Sequence, residues 1–545
     1  MRSTFVQSAK TCSAGAATWV EIVLWATVAP ILDSERRLYH AEMDDRDVER
    51  PAPPLPPLVA ALLTFIATAS VLVLEIAAGR LLAPYVGVSL TTYTGIIGAI
   101  LAGIALGAWI GGKAADAVGP LPLLGPAFIL GGLSAIAAVP IVGAIGGVGM
   151  GEGLVAIVLL ATTAFVVPAA ILSATAPMLV RGTLTDLATS GSIVGRLSAV
   201  GTVGAITGTF LTGFVLLGLF PTRVLIISIG VGLAVIGVVL SLWLRRGGRG
   251  PALLAIAAAL LTGGLALAQP SPCDTESAYY CIAIRSDSAD PNIRVLVLDR
   301  LTHAAVDLQD PTNLEFGYVR RFADATAPIR AGLGASPDVL HLGGGGFTFP
   351  RYIESMHPDA RQTVLELDSR IYEIAQSELG YVPSDAIDVR LGDARQSIRA
   401  LPSDAFDIVI GDAFGGLAVP WHLTTTEFLD QMARVLRPGG AYVMNLIDYP
   451  PLRFVRAEAA SAATRFSQVA VIASRETIAG EGGGNVVLVA SDTPLDRAGV
   501  EAAIATWGEG STTAILSTHD EVTSFIGPSG VLTDDFAPVD QLLGR

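Results

Sequence analysis

Long apolar runs, each about the length of a bilayer-spanning helix, recur between residues 58 and 268 and set the main constraint on this chain. They fall at 58–78, 92–110, 121–145, 154–179, 197–219, 224–244 and 252–268, separated by short polar or Gly/Pro joints. So many runs in succession do not fit a soluble core. A bilayer accommodates them, because a helix satisfies its own backbone polar groups. Hydrophobic residues make up 52% of the 545 residues and charged residues 15%, with charges sparse between Pro54 and Pro251. The reading is a multi-pass helical membrane domain of about seven spans.

An earlier run, 17–32, contains Glu21 and leads into mixed charge at 33–50. A proline-rich joint follows (Pro51, Pro53, Pro54, Pro56, Pro57). This start of the chain is expected to be a disordered or peripheral extension rather than a span. Glycines crowd the second run (Gly95, Gly98, Gly103, Gly107) and the fifth (Gly201, Gly204, Gly208, Gly213), a pattern that lets helix backbones approach closely in lipid. A transport path lined by glycines is the alternative. Glu75 lies within the first run, five residues before Arg80, and is either a functional carboxylate or one satisfied by that arginine.

Lys113, Arg181 and Arg196, and Arg245, Arg246 and Arg249 follow the second, fourth and sixth runs, which marks those joints as cytoplasmic. A complete seventh span would then put everything after Pro270 outside. A cytosolic nucleotide would require the other side, so the side of the C-terminal part stays open. Cys273 and Cys281 could pair in an oxidising compartment or be two unrelated thiols. With Cys12 they form no metal-ligand spacing, and no metal is expected. The net charge of -15 and the lack of a basic block argue against nucleic-acid binding.

After Pro270 the composition becomes that of a soluble protein. Segments 280–284 and 294–298, joined by a polar turn, read as a hairpin. A helix over 314–327 with Asn313 as its cap is expected next. Residues 338–342 are a buried strand, Gly343 to Gly346 a glycine loop, and 349–356 the start of a helix, which together form the first unit of a doubly wound sheet. The next strand, 363–368, carries Glu366 about twenty residues past the glycines, where a carboxylate meets a ribose diol. Strands 387–391 and 406–412 bring Asp393 and Asp412 to the same sheet edge. A helix at 426–436 leads through Arg437-Pro438-Gly439-Gly440 into strand 441–446. Ligands of such sheets bind beyond the carboxyl ends of the strands.

The runs 339–346, 365–368, 392–394 and 406–412, with 298–303 and 314–318 upstream, resemble the spermidine synthase family. With the membrane half, the whole resembles bacterial fused membrane/spermidine-synthase-like proteins. The chain divides into four expected segments: an extension (1–54), a transmembrane domain (55–270), a small β-subdomain with a linking helix (271–330) and a nucleotide-binding α/β domain (331–545). The resemblance implies transfer of an aminopropyl group from decarboxylated S-adenosylmethionine to a diamine. Gly343, Gly344 and Gly345 would line the nucleoside, Glu366 would hold the ribose and Asp393 would face the adenine. Asp412 would be the remaining gate-loop carboxylate and the catalytic candidate. Substrate contacts would come from His303, Glu315 and Tyr318. Gly346 and Gly415 stand where the family carries two further aspartates, one for the donor amine and one for the acceptor amine.

A methyltransferase using S-adenosylmethionine on the same fold is the second reading. A non-catalytic transporter or sensor binding a nucleoside or polyamine is the third. The expected partners are the lipid bilayer and a small cationic substrate, with a homodimer left open. An arginine near Asp412 would favour a carboxylate-bearing substrate instead, and the sequence does not reveal one.

Overall fold

The computed structural model describes residues 55–149, 153–244, 250–333 and 336–544. The extension expected at 1–54 and the basic residues at 245–249 lie outside the described residues. Among the described residues, six helices are long and apolar enough to cross a membrane. These are α1 (Pro57–Val86), α2 (Leu90–Val118), α3 (Leu121–Gly146), α4 (Leu154–Thr183), α5 (Ser190–Leu219) and α6 (Thr222–Leu244). The seventh run is also helical, α7 (Gly250–Ala268), and its described apolar part, Ala257–Ala268, is shorter than a span.

The glycines of the second and fifth runs are where helices meet. A Cβ on Gly107 would lie 2.0 Å from the carbonyl oxygen of Ala170, and one on Gly103 2.9 Å from that of Val166, so α2 packs on α4 backbone to backbone. Gly204 and Gly208 approach Phe65 and Ala69 of α1 in the same way. Gly98 and Gly213 face open space. Small residues at these crossings let the helix backbones pack this closely.

The α/β half is docked on one end of this bundle. Arg80 of α1 donates to the carbonyls of Ser277, at 2.8 Å, and Tyr279. Glu276 accepts from the Thr222 amide and hydroxyl at the start of α6 (2.9 and 2.6 Å). Among the described residues no hydrogen bond or ion pair joins Arg80 to Glu75. Lys113 and the Asp116–Arg181 ion pair (3.3 Å) lie near the far ends of α2 and α4. The structure joins Cys273 to Cys281 in a disulfide, with Cα atoms 5.2 Å apart.

A four-stranded antiparallel sheet follows: β1 (Thr275–Glu276), β2 (Cys281–Ser286), β3 (Ile293–Leu298) and β4 (Leu301–Asp307). The linking helix α8 is Gly317–Gly332 and starts later than expected. Asn313 is not its cap. Its side chain bonds Asp307 and Glu315 instead, and Phe316 is still extended.

The second sheet has strand order β12-β10-β11-β9-β8-β5-β6-β7. Its parallel core is β5 (Asp338–Leu342), β6 (Arg361–Glu366), β7 (Ile387–Leu391), β8 (Phe406–Gly411) and β9 (Leu436–Asp448), with antiparallel β10 (Gln468–Ser474), β11 (Gly484–Ser491) and β12 (Thr513–Leu516) beyond β9. Side chains alternate across it. Leu340, Leu342 and Val409 join the core of one face, with α11 (Thr426–Val435) and α12 (Arg453–Arg465); Val339, Ile408 and Ile410 join that of the other, with α8 and α9 (Thr348–Met356). Arg437 to Gly440, expected as a connection, is already part of β9. Strand β6 ends at Glu366, and Asp368 caps α10 (Ser369–Glu378) by accepting from the Arg370 amide at 3.0 Å. The chain runs from β5 outward to β7, then crosses to β8 on the other side of β5. This makes the β5/β8 crevice the topological switch point.

Gly107→Val is expected to destabilise the solubilised protein by about 1–3 kcal/mol, the usual cost of overpacking, while Gly98→Val leaves it unchanged. Thermal melts of the two variants check this.

Candidate active site

At the tip of β5 the chain turns through Gly343, whose φ of +92° suits glycine, and where a Cβ would lie 2.5 Å from the Asp412 carbonyl oxygen. The loop is closed by Glu366 at the tip of β6. One carboxylate oxygen accepts from the amides of Gly344 (2.8 Å) and Gly345 (3.2 Å), and the other from the Asp368 amide (2.8 Å). Burial raises the Glu366 pKa, and these three N–H donors act against that rise.

Asp412 follows directly on β8. Its oxygens accept from Asn445 Nδ2 on β9 (3.0 Å) and from the Tyr318 hydroxyl on α8 (3.2 Å). That hydroxyl also lies 3.3 Å from the His303 carbonyl, so it serves one acceptor at a time. Asn485 donates to Asn445 at 3.0 Å and fixes its amide. Burial pushes the Asp412 carboxyl up to about 6, against the opposing effect of the Asn445 and Tyr318 hydrogen bonds. Burial pushes the His303 imidazole down to about 4, so it is neutral at pH 7, and its Nε2 has no partner.

Asp393 accepts from the Gln396 amide at 2.9 Å and stands 3.2 Å from His422 Nε2. Glu315 is exposed, its side chain bonded by Asn313. Gly343, Gly344, Gly345, Glu366, Asp393, Asp412, His303, Glu315 and Tyr318 all line one cavity of about 550 Å³. The two family departures differ physically. A side chain at Gly346 is blocked, because its Cβ would lie 2.7 Å from Ala304 and 2.9 Å from Val306. At Gly415 the nearest atom is 3.8 Å away. Among the described residues, no group of three or more His, Cys, Asp or Glu could hold a metal ion.

Sequence reasoning missed Tyr280, Arg321, His422, Asn445 and Asn485, which line the same cavity. Tyr280 donates to the Phe414 carbonyl at 2.9 Å, tying the loop after Asp412 to the small sheet. Asn445 had a visible signal: it is the amide within the apolar stretch 441–447, and the fold buries it. Arg321 had one too, standing three residues after Tyr318 and so on the same helix face.

Comparison with known proteins bears on this site. The chain is 32% identical over 146 residues to the polyamine aminopropyltransferase of Vibrio vulnificus, covering 26% of this chain and 46% of that one. It is 27% identical over 160 residues to that of Chromobacterium violaceum, covering 29% and 59%. The α/β half has spermidine synthase homologues. The chain spans about half the length of these curated relatives. The methyltransferase domain family matches residues 340–444, from β5 to β9. Among solved structures, a probable spermidine synthase from Corynebacterium glutamicum superposes with a TM-score of 0.45 at 29% identity, over 48% of this chain and 95% of that one.

Behind β8, the buried Glu458 of α12 has an oxygen without a partner, and burial raises its pKa well above the ordinary value. A raised folded-state pKa contributes stability at low pH that is lost as pH rises from the unfolded value toward the folded one, at up to about 1.4 kcal/mol per pH unit. Glu458→Gln is therefore expected to flatten the fall in melting temperature between pH 5 and 8, measured by thermal melts across that range.

Proposed function

We propose that this protein is a multi-pass cell-membrane protein whose α/β half transfers an aminopropyl group from decarboxylated S-adenosylmethionine to a di- or polyamine. Residues 55–270 act as the membrane domain, 271–330 as the small β-subdomain and linking helix, and 331–545 as the nucleotide-binding domain. The observation that carries the reading is Asp412, held by Tyr318 and Asn445 at the switch point, in one cavity with the glycine loop and Glu366. The aminopropyltransferase relatives give the reaction class.

In this reading Gly343 to Gly345 let the nucleoside approach the backbone, Glu366 accepts from the ribose hydroxyls on lone pairs its amide partners leave free, and Asp393 faces the adenine. The acceptor amine attacks the aminopropyl carbon bonded to the sulfonium. A C–N bond forms, the C–S bond breaks, and the sulfur leaves as the neutral thioether of 5′-methylthioadenosine. Asp412 takes the amine proton, a task its elevated pKa of about 6 suits at neutral pH. Holding the reactants in line away from water supplies much of the remaining acceleration.

A second reading, a non-catalytic domain binding a nucleoside or polyamine outside the cytosol, is favoured by a different observation. The α/β half sits on the bundle end opposite Lys113 and Arg181, and its first cysteines are bridged. Basic joints favour the cytoplasmic side and disulfides persist outside it.

Transfer assays on the full chain with decarboxylated S-adenosylmethionine and putrescine decide between them. The first reading predicts spermidine and 5′-methylthioadenosine in equal amounts. It also predicts a kcat/KM that falls as pH drops through about 6, where Asp412 takes up a proton. Asp412→Asn should lower the rate by about 10²–10⁴-fold and remove that limb. Methylated product from S-adenosylmethionine would instead establish the methyltransferase. Ligand binding with no product from either donor would establish the second reading.

A further inference from the structure

The hydrogen-bonding groups of the cavity are unevenly satisfied. Its buried carboxylates already have protein donors: Asp412 has Tyr318 and Asn445, and Glu366 has three backbone amides. Two of its nitrogens have none, Nε of Arg321 and Nε2 of His303. A buried donor left without an acceptor is costly, so such groups usually mark a missing partner.

Arg321 is the more informative of the two because it carries charge. It lies one helical turn beyond Tyr318 on α8 and lines the cavity. The acidic groups near it are engaged elsewhere. Glu509 pairs with Arg320 at 2.7 Å, and Asp324 accepts from Trp507 Nε1 at 3.0 Å. Among the described residues, Arg321 makes neither a hydrogen bond nor an ion pair. Arg330 on the same helix also has an unpartnered Nε, yet its terminal nitrogens bond His357 and the Ala323 carbonyl. Meanwhile the position of one family aspartate, Gly346, is sterically closed and the other, Gly415, is empty. The cavity thus has fewer carboxylates for amines and a guanidinium whose Nε has no acceptor.

We propose that the ligand of this cavity carries a carboxylate as well as an amine, the carboxylate received by Arg321 and the amine by Asp412. This rests on the nucleoside-binding part of the proposed function and revises its substrate class: either the donor or the acceptor carries a carboxylate that the decarboxylated donor and a plain diamine lack. A guanidinium fork matches a carboxylate with two parallel N–H bonds. The carboxylate has two sources. On the co-substrate it belongs to the methionine tail, making the donor S-adenosylmethionine itself. On the acceptor it makes the substrate an amino acid rather than a diamine.

Two ligand pairs that differ only by this carboxylate test the proposal by calorimetry on the full chain in detergent. The co-substrate pair is S-adenosylmethionine and its decarboxylated form. The acceptor pair is ornithine and putrescine, titrated with 5′-methylthioadenosine present. In at least one pair the carboxylated member should bind about 10- to 100-fold more tightly. Arg321→Gln should abolish that advantage without weakening the decarboxylated member, and Arg321→Lys should restore part of it. The pair that responds identifies the source. Equal or weaker binding of the carboxylated member in both pairs overturns the proposal, as does an advantage that survives Arg321→Gln. 5′-Methylthioadenosine alone has the nucleoside and no carboxylate. Its failure to bind would bring down the nucleoside reading and this inference together, while its binding without a carboxylate preference brings down this inference alone.

Discussion

The Glu366 carboxylate, closed on the amides of Gly344, Gly345 and Asp368, is the contact on which the site depends. It gives the glycine loop a fixed shape by supplying the acceptor that two loop amides would otherwise lack. That shape lets Gly343 press against the Asp412 carbonyl, so the tips of β5, β6 and β8 are set relative to one another. The cavity mouth, the position of Asp412 and the reach of Tyr318 all follow. A carboxylate held so closely by its own backbone is a structural element first, with lone pairs left for a ligand.

A second set of contacts joins this site to the helical bundle. Arg80 grips the 277–279 turn, the next residue Tyr280 bonds Phe414, and Phe414 lies two residues beyond Asp412. Gly416 of the same loop comes close to Val88, at the joint between α1 and α2. The loop that borders the cavity is thereby braced by the end of the bundle and by the small sheet together. Charged side chains, Arg80 near the end of α1 and Glu276 bonded to the start of α6, tie the α/β half to its bundle. That matches its position at the end of helices long enough to cross a membrane.

Much of this was legible in the sequence because its signals are local. The apolar runs, the strand–glycine loop–helix unit at 338–356 and the carboxylates at successive strand ends each announce themselves within a few residues. Gly346 and Gly415 were visible as departures, but that one is filled space and the other empty could come only from packing. The partners that sequence could not supply are the distant ones. Arg80 and Tyr279 are 199 residues apart, and Tyr318 and Asp412 are 94 apart. The start of α8 falls later than Asn313 suggests because the chain is still extended at Phe316, and the helix begins only at Gly317. Arg321 shares a helix face with Tyr318 by its spacing, but only the folded chain shows that its acidic neighbours Glu509 and Asp324 already have other partners.

Hydrogen exchange across residues 343–346 and 366–368, with and without saturating 5′-methylthioadenosine, tests most directly whether this cavity is a nucleoside site. The account predicts slower exchange in both segments on ligand addition, and none in the far antiparallel strands β10 and β12. Unchanged exchange at the glycine loop, whatever happens elsewhere, would contradict it.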